Sequence, residues 1–254
     1  MAMHPLRLCT FNSRGHRPDK VSYMADLLVD CDLLCVQEHW HLQEDIHLLA
    51  SSPDILVAGV SGMDSSVLLQ GRPYGGCAFI YKRSWNCTLK MLNIDSKRIC
   101  ACIINLHTNV KLLIINVYMP TDAHANIDEY LCTLNDVKSI IASQWDVDIV
   151  IICGDLNTDL TRHDSLHTRA LTDFVSCMPL SLGLTNHVAD VSHSYINYST
   201  GSKSLIDHFL VSDNIFPCIT RYESIECGSN LSDHLPILIE IQVEAGCCDD
   251  RMPA

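Results

Sequence analysis

Five short segments carry polar side chains at the points where runs of apolar residues end. Carboxylates, amides, a tyrosine and a histidine recur among them. Each such group needs a partner or a function, because an unpaired buried polar group costs about 1–3 kcal/mol. The segments are residues 10–12, 36–39, 116–120 and 153–157, and the paired stretches 205–208 and 231–236.

These residue types suit the hydrolysis of a phosphate ester. A hard cation prefers oxygen ligands, which Glu38 supplies, and it stabilises charge on the phosphate and on the leaving oxygen. Asp155 is the candidate general base that takes a proton from water, and Asn157 is the candidate holder of the phosphate or the nucleophile. We therefore expect a phosphodiesterase that depends on Mg²⁺, with Mn²⁺ as the alternative metal.

Four further residues complete this first set. His234 is expected to face the phosphate and stabilise its developing charge, while Asp207 orients His234 and favours its protonated form. The Tyr118 hydroxyl is a candidate donor to a phosphate oxygen. Asn12 is a candidate member of the metal or phosphate shell.

Each segment also has an ordinary structural interpretation when it is taken alone. Glu38 could begin a helix, residues 155–157 have the composition of a turn, and a single histidine such as His234 is more often structural than catalytic. The complete set favours a site, because every segment falls at a strand end, where the sites of layered α/β proteins assemble.

The elements that must position these residues are mostly strands, which predicts a layered sheet protein with helices outside. Helical periodicity is confined to residues 18–28, 127–141 and 166–177, and we expect the apolar stripes of these helices to face the core. The predicted strands are residues 6–11, 33–37, 54–60, 77–81, 98–105, 111–118, 148–153, 205–211, 218–226 and 237–243.

The chain has 254 residues, which is enough for one large domain or two small ones. Because no repeat or linker interrupts it, we expect one catalytic domain over residues 1–244 and a disordered tail over residues 245–254. The loop at residues 61–76 is rich in Gly and Ser, and it either approaches a ligand or is a plain surface connection.

Apolar residues make up 48% of the chain and charged residues 19%, a globular composition rather than a disordered one. No apolar run reaches the roughly 18 residues that suggest a membrane span. The first eight residues are too few and too polar for a signal peptide. These features predict an intracellular protein that does not contact a membrane.

The 14 cysteines raise the question of disulfides or zinc, but the sequence holds no Cys-x-x-Cys pair. Five of them lie in apolar runs and are expected to be buried free thiols that behave as small hydrophobes. The adjacent Cys247 and Cys248 are expected to be exposed thiols. The five in apolar runs are Cys9, Cys35, Cys77, Cys102 and Cys153.

The charge balance opposes a nucleic-acid substrate, since 17 basic and 30 acidic residues give a net charge of −13. A metal-dependent phosphodiesterase must nevertheless cluster carboxylates, and a bound cation cancels part of their charge. Three basic groups remain, and each is either a local patch or ordinary solvated surface. They are Arg14 with His16, Arg17 and Lys20; Lys82 with Arg83; and Lys97 with Arg98.

In their order along the chain, the motifs F-N, Q-E, N-V-Y-M-P, G-D-L-N, I-D-H and S-D-H-L-P resemble those of the endonuclease/exonuclease/phosphatase superfamily. That superfamily includes abasic-site endonucleases and deoxyribonuclease I, and the resemblance covers residues 6–241. Within it, the sequence is most similar to endonuclease domains of non-LTR (LINE-type) retrotransposons. The cues are N-V-Y-M-P, L-I-D-H-F-L-V-S and N-L-S-D-H-L-P-I.

The resemblance implies a four-layer α/β sandwich, in which two packed, mostly antiparallel sheets are flanked by helices. It also implies that Glu38, Asn12 and Asp233 hold the metal. The positions that match the family's active site are Asn12, Glu38, Tyr118, Asp155, Asn157, Asp207, Asp233 and His234.

The same resemblance implies a function. In such elements the domain nicks one strand of double-stranded DNA in the nucleus, and the exposed 3′-hydroxyl primes reverse transcription. The implied partner is a reverse transcriptase domain. None is present in this sequence, so we expect an isolated domain or a truncated copy.

Two positions depart from the abasic-site endonucleases, which carry Asp where this chain has Arg14 and Asn where it has Thr121. Both departures weaken the case for abasic-site repair and leave the number of metal ions open. Contacts that select the target sequence are expected in the loops at residues 61–76 and 187–204, with Tyr195, Tyr198 and Lys203 as candidates.

Two alternatives stay open. The first is a phosphoesterase of the same fold that acts on a small phosphoester or on RNA, as inositol phosphatases and deadenylases do. Against it, L-I-D-H stands where inositol phosphatases carry W-C-D-R. The second is an inactive copy that binds DNA or partners without cleaving, against which the intact motif set argues.

Overall fold

The computed structural model describes residues 5–15, 17–64, 66, 73–85, 87–106 and 110–243. His16, most of the middle of the loop at residues 61–76, and the expected tail with Cys247 and Cys248 lie outside these ranges.

Strands account for most of the regular structure in the described ranges. Three α-helices accompany them: α1 (Pro18–Asp30), α2 (Ile127–Ser143) and α3 (Leu166–Ser176). The strands are β1 (Leu6–Asn12), β2 (Leu33–Gln37), β3 (Ile55–Val60), β4 (Cys77–Lys82), β5 (Thr88–Met91), β6 (Ile99–Asn105), β7 (Lys111–Tyr118), β8 (Ile149–Asp155), β9 (Leu180–Leu182), β10 (Ala189–Asp190), β11 (Tyr195–Asn197), β12 (Ser202–Ser204), β13 (Asp207–Ser212), β14 (Ile219–Ser224) and β15 (Ile237–Ile241).

Two large sheets carry the fold. The first has the strand order β10-β14-β15-β1-β2-β4-β3, and the second has the order β5-β6-β7-β8-β13-β9. Antiparallel pairs predominate, but the pairs β1–β2, β7–β8 and β10–β14 are parallel. The strands β11 and β12 form a separate hairpin beside them.

The two sheets pack face to face, and a helical layer covers each outer face. Leu8 and Ile151 belong to the core between the sheets, whereas Met24 of α1 and Val137 of α2 belong to the two outer cores. Neighbouring residues of a strand therefore contribute to different cores, which explains why residues 149–153 of β8 are all apolar. The predicted four-layer α/β sandwich is confirmed.

All ten predicted strands are present, with ends that shift by at most two residues. The sequence did not reveal β5, β9, β10, β11 and β12, which have four residues or fewer. Such short strands give almost no periodicity signal. The expectation that Cys9, Cys35, Cys77, Cys102 and Cys153 are buried is confirmed.

The three predicted helices are present, but part of the expected core stripe is wrong. Leu131 of α2 is 43% exposed and Leu166 of α3 is 39% exposed. The other predicted core residues of α2, Leu134, Val137 and Ile141, are buried, and Tyr130 is buried where Leu131 was expected. Cys177 at the end of α3 is also exposed, because it lies past the last turn that packs on the sheet. In the described ranges, no helix has the length and apolar character that a membrane span requires.

Candidate active site

The core between the sheets becomes polar toward one end. On β1, Leu6 and Leu8 face the other sheet, and the same two-residue period brings Thr10 and Asn12 to that face. Asn116 of β7 and Gln37 of β2 meet them there. Because β1 and β2 are parallel, and β7 and β8 are parallel, the carboxyl ends of all four strands lie at this end.

A hydrogen-bonded layer closes the apolar core beneath the site. The Gln37 amide nitrogen donates to Asn116 Oδ1 at 2.6 Å and to Thr10 Oγ1 at 3.0 Å. Asn116 in turn donates to the carbonyls of Val36 and Ala78, both at 3.0 Å. These bonds tie the two sheets together and give the site a rigid floor.

Asn12 joins two of the predicted carboxylates. Its Nδ2 donates to Glu38 Oε1 at 3.0 Å and to Asp155 Oδ2 at 2.8 Å, while its Oδ1 accepts from the Arg14 backbone at 2.9 Å. The second Glu38 oxygen accepts from the Trp40 indole at 3.1 Å. No sequence pattern indicated this role for Trp40, because a tryptophan next to a turn usually packs against the core.

The backbone at the site is held in uncommon conformations. In the described ranges, four residues other than glycine have a positive φ: Arg14, Glu38, Trp40 and Asn157, at 48° to 59°. All four border the same cleft or hold a residue that does. Left-handed backbone costs about 1–2 kcal/mol per residue, and such costs concentrate where function requires a fixed geometry.

Gly154 shows why the G-D-L-N motif begins with glycine. Its φ is 139°, and a Cβ at this position would lie 1.9 Å from the carbonyl oxygen of Val117 on the neighbouring strand β7. Only glycine fits here. The close approach allows β8 to continue to Asp155, whose Oδ1 then accepts from the Asn157 backbone at 2.9 Å.

His234 and Asp207 form the second half of the site. The ring Nδ1 lies 2.9 Å from Asp207 Oδ2, which leaves Nε2 as the nitrogen that can serve a substrate. Ser194 fixes the start of β13 by accepting from the backbone of Ile206 at 3.0 Å and of Asp207 at 2.9 Å. Tyr195, expected to contact DNA, packs on the His234 ring with 5.0 Å between the ring centres.

The charges at the centre of the site perturb one another. Burial opposes protonation of His234, but the carboxylates of Asp207, Asp155 and Asp233 outweigh it and raise the pKa of His234 to about 9. Burial, followed by the nearby Asp207 carboxylate, raises the pKa of Asp155 well above its usual range. Burial and then the charge of Glu38 also raise the pKa of Tyr118, so its hydroxyl remains a donor.

A cleft of about 340 Å³ opens over these groups. Its walls include Glu38, Tyr118, Asp155, Asn157, Asp233 and His234, while Asn12 and Asp207 lie buried directly behind them. The structure thus brings all eight predicted site residues together. It adds three cleft residues that no motif indicated: Asp122, Arg162 and Ser204.

The donor set fits a divalent cation. Glu38 and Asp233 offer carboxylate oxygens at the cleft, and Asp233 Oδ1 is buried with no hydrogen-bond partner among the described residues. Asp155, Asp207 and His234 also bring ligand atoms within 4.8 Å of one another. Glu38 and Asp233 could hold such a cation, because a hard cation prefers oxygen and the His234 Nδ1 is held by Asp207.

The basic groups differ in what they can do. Lys20 is not part of a surface patch: it is 5% exposed, and its Nζ donates to the carbonyls of Ser13 at 2.7 Å and Arg14 at 2.9 Å. Arg14 lines the cleft and forms an ion pair with Asp233. Arg98 pairs with Glu129 at 2.7 Å.

The sequence pattern of the endonuclease/exonuclease/phosphatase family matches residues 9–234. This chain belongs to that family. Its members are hydrolytic nucleases and phosphatases that depend on a divalent metal, so the predicted superfamily membership is confirmed. Among curated proteins, none matches the sequence of this chain significantly.

Solved structures share the fold at low sequence identity. An abasic-site (AP) endonuclease from Leishmania major has a TM-score of 0.75 at 12% identity, over 94% of this chain and 88% of that one. The endonuclease domain of TRAS1, a telomere-specific non-LTR retrotransposon, has a TM-score of 0.68 at 15% identity, over 94% and 98%. A 3′ phosphatase from Neisseria bound to product DNA hairpin has a TM-score of 0.66 at 15% identity, over 94% and 100%.

Proposed function

We propose that this family member is a metal-dependent endonuclease that nicks one strand of double-stranded DNA and leaves a 3′-hydroxyl. One observation carries the proposal: the Asp207–His234 pair faces Asp155 across less than 4.8 Å, in an open cleft lined by further carboxylates. This arrangement brings a candidate base and a cationic donor together at one open cleft.

Asp155 is the proposed base for the attacking water. Both of its oxygens are held, one by the Asn12 side chain and the other by the Asn157 backbone, so the carboxylate has a fixed direction. The Asn157 side-chain nitrogen donates to the Met119 carbonyl at 2.8 Å, which leaves its Oδ1 free to accept a hydrogen bond from the water. These contacts position the nucleophile before it reacts.

Protonated His234 donates from Nε2 to a phosphate oxygen as negative charge develops there, and Asp207 stabilises the protonated ring. Tyr118 donates to a second oxygen of the phosphate. Glu38 and Asp233 Oδ1 are the proposed metal ligands, and Asn12, whose oxygen is held by the Arg14 backbone, positions Glu38. The bound cation would supply positive charge to the phosphate and the leaving oxygen.

Two similar structures support a DNA substrate, since one is an endonuclease domain of a retrotransposon and another was solved with a product DNA hairpin. We extend the retrotransposon resemblance to the biological role: the nick would prime reverse transcription by a partner enzyme, in the nucleus. The phosphatase bound to DNA defines the second candidate, removal of a terminal 3′ phosphate.

A supercoiled-plasmid assay tests the proposal. Purified protein should convert supercoiled plasmid to open circles with Mg²⁺ or Mn²⁺ and not with a chelator. Asp155→Asn and His234→Gln should each abolish the conversion, while Lys138→Ala on the exposed face of α2 should leave it unchanged. If the plasmid stays intact with every metal and the protein releases phosphate from a 3′-phosphorylated oligonucleotide, the nicking proposal is wrong and the 3′ phosphatase is supported.

A further inference from the structure

A second cavity of about 150 Å³ adjoins the catalytic cleft, and we call it the side groove. Its walls include Tyr74, Lys97, Arg98, Tyr118 and Glu129. Tyr118 also lines the catalytic cleft, so the two cavities share this residue. A molecule that extends beyond the reacting phosphate across Tyr118 enters the side groove.

The guanidinium group of Arg98 in this groove is held by neighbouring residues. It pairs with Glu129 at 2.7 Å, donates to the Tyr118 carbonyl at 3.2 Å and lies over the Tyr118 ring at 5.4 Å from its centre. These contacts fix the position of Tyr118. They also offset the charge of Glu129, so the acidic wall of the groove does not repel an anion.

Lys97 supplies a positive charge to the side groove. It is exposed and lines the groove, and it has no ion pair or hydrogen bond among the described residues. The Asp64 carboxylate interacts with Lys97 electrostatically but not through an ion pair, and its Oδ1 accepts from the Ser66 hydroxyl and backbone at 2.6 Å and 2.9 Å. An exposed ammonium group that makes no ion pair is suited to contact a phosphate.

Tyr74 supplies an exposed aromatic surface beside that charge. Its side chain is 54% exposed, and the next two residues, Gly75 and Gly76, have positive φ values of 65° and 91°. The backbones of Gly62 and Gly75 approach each other closely at this turn. Exposed tyrosine rings next to cationic side chains are the usual platform on which a nucleic-acid base stacks.

We propose that the side groove is a subsite for the nucleotide that flanks the scissile phosphate, with its base on Tyr74 and its phosphate at Lys97. This rests on the proposed endonuclease function, and it names the substrate class as a polynucleotide strand that continues past the reacting phosphate. A small phosphoester ends at Tyr118 and leaves the groove empty. The local cation explains how an acidic protein can hold one nucleotide beside its cleft.

Steady-state cleavage of a duplex oligonucleotide and of bis(p-nitrophenyl) phosphate tests the subsite. Tyr74→Ala and Lys97→Ala should each raise the KM for DNA by roughly tenfold, so the ratio of DNA to small-diester turnover falls. Tyr74→Phe keeps the ring and should stay near the wild-type KM. Trp145→Ala removes an exposed ring elsewhere on the surface, and Lys138→Ala removes an exposed charge. Neither variant should change the KM for either substrate.

Wild-type KM for DNA in both Tyr74→Ala and Lys97→Ala would overturn the subsite while leaving the endonuclease intact. If the wild type cleaves the small diester but no DNA, the endonuclease proposal is wrong, and this result does not decide the subsite. Fluorescence anisotropy with a short labelled oligonucleotide then decides the subsite: binding weakened by both substitutions supports it, and binding unchanged by them overturns it.

Discussion

The guanidinium group of Arg14 forms an ion pair with the carboxylate of Asp233 at the mouth of the cleft. The two side chains differ in environment, since Asp233 is 7% exposed and Arg14 is 47% exposed. Arg14 therefore neutralises one oxygen of a buried carboxylate while part of its own charge remains accessible. It is placed to contact the substrate phosphate next to the proposed metal ligands.

Removing this charge should weaken DNA cleavage and alter the response to metal. Arg14→Ala should lower kcat/KM for plasmid nicking by about tenfold, because hydrogen bonds to charged groups contribute roughly 1.5–3 kcal/mol. The metal concentration for half-maximal activity should fall, since Asp233 loses its competing cation. Arg14→Lys should retain part of the activity. A wild-type kcat/KM for Arg14→Ala at every metal concentration would show that Arg14 does not contact the phosphate.

A substitution at Asp207 tests the role of the buried Asp207–His234 pair without removing the histidine. Asp207→Asn keeps the shape of the side chain but removes the charge that stabilises protonated His234. We expect kcat to fall about a hundredfold with little change in KM, because the pair acts on charge that develops during the reaction. Asp190→Asn, exposed on β10, is the matched control. An unchanged kcat would exclude charge stabilisation through His234.

Trp40 should act on the metal through Glu38. Trp40→Phe keeps the ring against Gly15 but removes the indole donor that holds Glu38 Oε2 at 3.1 Å. Losing such a supporting contact typically weakens metal affinity by about 10- to 100-fold. Activity should therefore require more Mg²⁺ and should recover at saturating metal. A shifted maximum rate with an unchanged metal requirement would contradict the assignment of Glu38 as a ligand.

The motif residues could be predicted from the sequence because each one interrupts an apolar strand, and such interruptions are visible without a structure. Asp155 and Asp207 are far apart in sequence, yet their strands pair so that these two residues are register partners. Strand-end polarity predicted that they meet, but the pairing of β8 with β13 could not be predicted. The long strands and helices were likewise predictable from their periodicity.

The contacts that hold the site residues in place could not be predicted from the sequence. Trp40 and Ser194 act through one side-chain atom each, and their residue types occur just as often in cores and loops. Lys20 was expected at the surface, either in a local patch or as an ordinary solvated charge, whereas its amino group is buried and donates to two backbone carbonyls. The contact of Lys20 depends on the positive-φ turn after β1, which local composition does not reveal.

Gly154 should be indispensable for stability. Gly154→Ala places a Cβ 1.9 Å from the Val117 carbonyl oxygen at a φ of 139°. We expect a loss of about 3 kcal/mol or more, and a decrease in Tm of roughly 10 °C, in thermal unfolding. Gly201→Ala separates the two causes, since φ is 72° there but no atom lies within 4 Å, and it should cost only about 1 kcal/mol. Equal effects of the two substitutions would show that the contact with Val117 is unimportant.

His208 should make the fold sensitive to acid. Its ring is fully buried, its Nε2 donates to the Thr158 carbonyl at 2.9 Å, and burial lowers its pKa against the opposing effects of that bond and of Asp207. Above pH 6.5 the ring is neutral in both states, and its contribution to stability is complete. Below pH 6.5 this histidine binds a proton in the unfolded chain but not in the folded one. The free energy of unfolding therefore falls by up to about 1.4 kcal/mol per pH unit, until the pH reaches the pKa of His208 in the folded protein.

His208→Gln isolates this effect, because glutamine keeps an N–H donor for Thr158 but does not titrate. Urea unfolding of both proteins between pH 7 and pH 4.5 should give a smaller pH slope in the variant, by up to one proton. Other histidines whose pKa is lowered by burial, His167 and His193, are common to both proteins and cancel in the difference. Identical slopes would mean that His208 is protonated in the folded protein or that it exposes its ring to water.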